Sequence, residues 1–265
     1  MQIGEAVLSV LVLIVIIIAI SFLFMHQTTE FYVESKKLEV IISRYNEDLS
    51  WLQRPEFDGI HITCYNKGPN PPNTYGRDCN IINLPNVGRC DHTYLYHIST
   101  NYDKLANVTL FFPASCFDGH KACVTLNVIK KAKLTEDTVL PSVFGNHEDV
   151  RMDMYNFTID NWKATNADNI AINSEDALQK SPIRPFGAWF DHNFPDHPPY
   201  RVVCYYGIFA VSKEHIMQHS VSRYESLMAY LDNHSNPEVG HYMERSWGAV
   251  FYPYPDSCIV GVDPC

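Results

Sequence analysis

Leu38-Glu39-Val40-Ile41-Ile42-Ser43, followed at once by Arg44-Tyr45-Asn46-Glu47-Asp48, is the stretch on which the fold turns. Leu38 to Ser43 is nearly all apolar, which suits a strand buried on both faces, as parallel sheets require. A polar loop and a short helical start at Leu49 to Leu52 come next. Moving outward, Ile60 to Tyr65 alternates in period two and predicts a second strand, with Cys79 to Leu84 a candidate third. Asn86-Val87-Gly88-Arg89 reads as a tight turn, and Asp91 as the cap of a helix whose Leu95, Ile98, Tyr102 and Leu105 share one face. Val108 to Phe112 is another buried strand. This alternation of strand, loop, helix and strand predicts an α/β layered fold whose ligands gather at the carboxyl ends of the strands.

Further along, Val124 to Ala132 fits either a helix or a strand, and Phe144 to Thr158 reads as irregular. Arg201 to Val211 predicts a strand broken by Gly207. Ser212 then caps a helix carrying Glu214 in its first turn. Ser222 to Leu231 continues helical, and a last helix spans Val239 to Phe251.

Upstream, Ala6 to Met25 is an uncharged apolar run of the length that crosses roughly 30 Å of hydrocarbon as a helix. The expected organisation is a tail at 1–5, a transmembrane anchor at 6–25, a stem at 26–37 and one α/β domain at 38–265. Lys36, Lys37 and Arg44 follow the run, and the positive-inside rule would leave the body in the cytosol. Against that stand N-x-S/T triplets at Asn107, Asn156 and Asn233, and eight cysteines that all follow the run. These favour a single-pass membrane protein with a lumenal body in the secretory pathway (ER or Golgi) or a viral or host membrane. Cys116 and Cys123 are seven apart, as are Cys258 and Cys265, although spacing does not set the pairing. Nor does it match zinc knuckles, whose paired ligands are two to four residues apart.

Net charge is −10, and no basic block exceeds Lys130-Lys131, which argues against nucleic-acid partners. Walker-type phosphate loops and G-x-S-x-G elbows are absent. The histidines at 192, 197, 215 and 219 show no ligand spacing. The most informative short segment is Gly240-His241-Tyr242-Met243-Glu244-Arg245-Ser246-Trp247. At about 100° per residue, Val239, Met243, Trp247 and Val250 line one side, and His241, Glu244, Arg245 and Gly248 the other. His241 and Glu244 could supply a base or metal ligands, Arg245 a diphosphate clamp, and Gly248 close ligand approach. A solvated amphipathic face explains the same pattern. Asn46, Glu47 and Asp48 could hold a ribose, a base edge or a metal, or simply cap the next helix. Arg89 and the helix start beside it could bind an anion, or form only a glycine turn.

The blocks ISRYNEDLSWL (Ile42–Leu52), YNKG (Tyr65–Gly68), NVGRCDHTYLYHISTNYDKLANVTLFF (Asn86–Phe112), YYGIFAVSKEHI (Tyr205–Ile216) and GHYMERSWGAVF (Gly240–Phe251) carry a resemblance. In this order they resemble a family of uncharacterised proteins from fungi, algae and large DNA viruses that share a domain of unknown function. That family in turn resembles nucleotide-sugar glycosyltransferases of the GT-A type. The resemblance implies a Rossmann-related mixed sheet flanked by helices and a nucleotide-sugar donor with a glycan or glycoprotein acceptor. Asn46 to Asp48 would approach the nucleotide, Glu244 would be the base, and His241 and Arg245 would lie near the diphosphate. Such enzymes carry an Asp-x-Asp pair for Mn²⁺ or Mg²⁺ after the strand matching VTLFF, but here Pro113-Ala114-Ser115 follows. The nearest acid is Asp118, with Asp149 and Asp153 as further metal candidates. The resemblance therefore implies metal-independent transfer or a site that has lost catalysis. The alternatives are a non-catalytic, disulfide-stabilised ectodomain that binds glycans or proteins, and a hydrolase using His241 and Glu244 with a metal.

Overall fold

The computed structural model describes residues 14–17, 37–142, 154–161, 177–196 and 202–261. The chain divides into two units, Met1–Ser35 and Lys36–Cys265, and the second carries everything that follows. Of the stretch 6–25 only 14–17 are described, as helix; the tail 1–5, residues 26–36 of the stem, Asp149 and Asp153 lie outside the described residues. No helix among the described residues is long and apolar enough to cross a membrane. That corrects the expected single-pass membrane protein with a lumenal body. Lack of charge is a property of composition, whereas a span needs about 20 continuous helical residues.

Five strands form the main sheet: β1 (Leu38–Arg44), β2 (His61–Asn66), β3 (Asn80–Asn83), β4 (Val108–Pro113) and β6 (Phe209–Ser212), in the order β3-β2-β1-β4-β6. β1 pairs in parallel with β2 (Ile42↔Cys64) and with β4 (Ile42↔Phe112), while β6 runs antiparallel to β4 (Phe111↔Phe209). A second, two-stranded sheet joins β5 (Leu140–Ser142) and β7 (Ile259–Gly261) in parallel, Leu140 opposite Ile259. The helices are α1 (Arg89–Thr100), α2 (Lys121–Thr135), α3 (Phe186–Asn193), α4 (Lys213–Met217), α5 (Val221–Met228) and α6 (Glu238–Val250). The mixed, helix-flanked α/β sheet agrees with the expected fold class.

Why the strands lack strict alternation is visible in where their side chains go. Val40 and Ile42 of β1, Val108, Leu110 and Phe112 of β4, and Ala210 of β6 enter one core with α2 residues Val124, Val128 and Ile129. Ile41, Phe111, Phe209 and Val211 enter the other with Tyr94, Leu95 and Ile98 of α1 and Met243, Trp247 and Val250 of α6. Both faces are covered, so both need apolar residues. The second core is largely aromatic: Trp247 stacks on Phe251 (14° between planes) and lies 4.9 Å from Phe209.

Four local expectations are revised. Asp91 does not cap α1; the helix begins at Arg89 behind Gly88, whose φ of 60° is the left-handed region glycine favours. The segment that fitted helix or strand is helix α2. The long strand predicted from Arg201 shrinks to Phe209–Ser212, because Tyr205–Gly207 folds into a tight 3-10 turn. The disulfide framework does not form as expected. Cys123 is disulfide-bonded, but Cys64, Cys79, Cys90, Cys116, Cys204 and Cys258 are free. Neither seven-residue pairing exists, since Cys116 and Cys258 are both free. Cys64, Cys116 and Cys204 are instead fully buried small apolar residues. Ser212 does cap α4, its hydroxyl accepting from His215 N. Asn107, Asn156 and Asn233 are all exposed.

Candidate active site

In a sheet ordered β3-β2-β1-β4, connections leave β1 and β4 in opposite directions, and ligands sit outside the carboxyl ends at that switch. Three chain segments converge around this edge: the start of α1, the middle of α6, and the turn before β6. β6 is antiparallel, so the turn preceding it lies at the same edge where β4 ends.

Arg89 follows Gly88 in the left-handed region too (φ 53°), an unusual state for a residue with a Cβ. It extends its guanidinium along α6: NH2 donates to Asn236 Oδ1 at 2.7 Å. A Cβ on Gly240 would sit 2.9 Å from Arg89 Cδ, so Gly240 makes room for this arginine. Lys67, at the end of β2, is buried and donates through Nζ to the carbonyls of Val87 and Arg89, tying the α1 turn to the sheet. Burial lowers its ammonium to a pKa of about 7.

Asp91 is only 1% exposed and accepts a hydrogen bond from Trp247 Nε1 at 3.0 Å. Burial, with the nearby Glu244 charge adding to it, pushes the Asp91 carboxyl up to about 7. Glu244 is half-buried, and its Oε1 accepts from Tyr206 N at 2.9 Å. Its carboxyl lies above the usual range because of burial, opposed by the charges of Arg245 and Arg89. Tyr206 adopts φ 69°, a strained conformation of the kind that collects at functional sites. Its hydroxyl meets His120 Nε2 at 2.9 Å. Lys121 lies 5.9 Å from its ring and donates to Ser115 Oγ just beyond β4.

His241 and Arg245 complete the group. Burial, then the Arg89 and Arg245 charges, lowers the His241 imidazole to about 3. It is therefore neutral near pH 7, suited to hydrogen bonding and too weakly basic to serve as a base. Arg245 donates to His241 O at 2.7 Å, and its guanidinium lies 3.7 Å above the Phe157 ring.

The structure thus gathers Arg89, His241, Glu244 and Arg245. Asn46, Glu47 and Asp48 belong to a separate network over the ends of β1 and β2. Glu47 Oε2 accepts from Tyr45 N and Asn46 N, Asn46 Oδ1 accepts from Asn70 Nδ2, and Asp48 accepts from Ser50 N and the Tyr75 hydroxyl. Gly68 lets this loop close, because a Cβ there would sit 1.6 Å from Tyr45 O. If Asp48 is a turn anchor, Asp48→Ala costs about 1 kcal/mol in denaturant unfolding and leaves any turnover within about twofold of wild type. Gly248 faces Tyr254 and Val202: a Cβ there would sit 3.0 Å from the Tyr254 hydroxyl and 3.1 Å from Val202 Cβ, so the glycine serves helix packing rather than ligand approach. Asp118 is exposed beyond β4.

Lys67, Asp91 and Tyr206 were missed by sequence reasoning. The only sequence signal for them was that each lies inside a block carrying the family resemblance. Among the described residues, the three-ligand group able to hold an ion is Asp137, His215 and Cys258, none of which belongs to this site.

A search of curated proteins finds no match to the chain. A family model described as a protein of unknown function, DUF3431, matches residues 40–262 and so covers all the elements that build this site. The chain belongs to that family.

Proposed function

We propose that the protein transfers a sugar from a nucleotide-diphosphate donor to a glycan or glycoprotein hydroxyl without a metal. The observation that carries this reading is the Glu244 carboxylate, held above its usual pKa beside Arg89 and Arg245 at the carboxyl edge of the sheet. The strand order, with its switch between β1 and β4 and its antiparallel β6, supports the likeness to GT-A enzymes drawn from the sequence blocks.

Glu244 accepts the proton of the acceptor hydroxyl as its oxygen bonds to the anomeric carbon. The bond from that carbon to the diphosphate breaks, and its electron pair leaves with the diphosphate. Arg89 and Arg245 neutralise the leaving charge, a task a divalent cation performs elsewhere. His241, neutral, donates or accepts a hydrogen bond beside them. Asp91 holds Trp247 and through it the register of α6.

The test is calorimetric titration of the full chain with UDP- and GDP-sugars, with release of nucleoside diphosphate followed in parallel, in EDTA and in Mn²⁺. Binding plus slow release, equal in both conditions, is expected. If no nucleotide sugar binds, the reading fails; glycan binding without it would instead favour a non-catalytic binding module.

A further inference from the structure

We propose that Asp137, His215 and Cys258 form a site for a zinc-class divalent cation that fastens the carboxyl-terminal strand to the body. It is independent of the transfer reaction proposed above.

The three residues come from separate segments. Asp137 lies in the link between α2 and β5, His215 in α4, and Cys258 immediately before β7. Their ligand atoms all lie within 4.8 Å of one another. Asp137 Oδ1 is 3.6 Å from His215 Nδ1, and Asp137 Oδ2 is 3.9 Å from Cys258 Sγ. Ligand atoms on a tetrahedral zinc, bonded at about 2.0–2.3 Å, are roughly 3.3–3.8 Å apart. Closure around an ion therefore needs only small shifts of these side chains. One carboxylate, one imidazole and one thiolate are ligands that zinc and cobalt accept, whereas calcium and magnesium prefer oxygen alone.

The surroundings of His215 define what an ion must displace. Its Nδ1 faces Thr138 Oγ1 at 2.6 Å and Ser212 Oγ at 2.9 Å, which fix the plane of the ring. Each hydroxyl has a further partner: Thr138 Oγ1 accepts from Ser212 N, and Ser212 Oγ accepts from His215 N. Nδ1 is also the nitrogen nearest Asp137, so an ion there displaces the Thr138 and Ser212 contacts, and the hydroxyls, 3.2 Å apart, then bond each other. The Tyr254 ring meets the imidazole edge-on at 6.3 Å. Cys258 is 1% exposed, so bulk thiol reagents reach it poorly, while the Asp137 side chain is 43% exposed and gives water access to a fourth coordination position.

The site's place in the fold gives it a task. β5 and β7 are three-residue strands paired with each other, too short to hold independently. Asp137 precedes one and Cys258 precedes the other, so a shared ion closes the open end of that ladder and ties it to α4. On binding, the Cys258 thiol proton passes to the buffer and the sulfur becomes a thiolate ligand.

The experiment uses the full chain, treated with a chelator and kept free of reductant, then titrated with Co²⁺ and competed with Zn²⁺. Wild type should gain the near-ultraviolet absorption of a thiolate-to-cobalt charge transfer at one equivalent, lose it to Zn²⁺, and unfold at higher temperature with Zn²⁺. Cys258→Ser should abolish that absorption. Asp137→Asn should weaken Co²⁺ binding by at least about 10–100-fold, the loss typical of removing even an outer partner of a ligand. Absence of the absorption in wild type, or its survival in Cys258→Ser, overturns the site. Nucleotide-sugar binding should be the same in both variants, so failure of this site and failure of the transfer reaction are separately visible.

Discussion

Glu244→Gln should lower turnover of the proposed sugar transfer about 10²–10⁴-fold while leaving donor affinity unchanged or tighter. Glutamine keeps an oxygen to accept from Tyr206 N, so the strained turn and α6 remain in place. What it loses is the capacity to take a proton. It also removes a negative charge beside a diphosphate, which is why donor binding does not suffer. Wild-type activity should rise with pH through the Glu244 titration, at a pH above the usual carboxylate range, because burial raises this group. The variant should lack that limb. A variant with near-normal turnover, or with an unchanged acid limb, would remove Glu244 from the chemistry.

The second large effect concerns stability. Asp91 has a pKa of about 7 in the fold against an ordinary value of 3.8, chiefly through burial. Below about pH 4 both folded and unfolded chains hold the proton, and the group costs nothing. Between about 4 and 7 the unfolded chain has released it while the folded chain retains it, so stability falls as pH rises. The accumulated penalty above pH 7 is at most about 4 kcal/mol. Lys67 acts in the adjoining window: its folded value of about 7 lies below 10.5, so stability lost to its burial is present below pH 7 and is regained as pH rises from 7 to about 10.5. Together the two groups place a stability minimum near neutrality. Asp91→Asn keeps an acceptor for Trp247 Nε1 and removes the carboxyl titration. Its unfolding free energy should match wild type near pH 4 and exceed it increasingly up to pH 7, as read from urea midpoints. Parallel curves for the two proteins across that range would show that Asp91 carries no such strain.

How much of this could be read in advance differs by element. β1, β2 and β4 were legible because doubly buried strands leave an apolar run in the chain, and α6 because its apolar side keeps helical period. Of the turn before β6 only the break at Gly207 was legible, since Tyr205 and Tyr206 read as continuous with the strand before it. Their turn conformation is held by the hydrogen bond from Tyr206 N to Glu244, 38 residues further on. Glu238 is fully buried with donors from Ile159 N, Ser181 N, Arg184 and Tyr242, and lies one residue before the helix read from Val239, so no sequence reading singled it out. Asp91 looked like a cap because helix starts attract aspartate, and only Trp247, 156 residues away, shows what it does. The Asp137–His215–Cys258 group was invisible for the same reason: its spacings are 78 and 43 residues, and no short pattern records them. The apolar run at 6–25 predicted a span, whereas no helix among the described residues is long and apolar enough to cross a membrane.

Reversal of a single strand has a consequence for how this molecule is assembled during synthesis. Because β6 enters the sheet from the edge at which its neighbour β4 exits, residues 205–206 come to lie beside the group drawn from residues 89–91 and 241–245. A chain emerging from the ribosome can complete all four parallel strands, β1 to β4, and still lack residues 205–206 and 241–245. The group is completed only by the last quarter of the polypeptide, and truncation before it leaves Arg89 and Asp91 without Glu244 and Trp247.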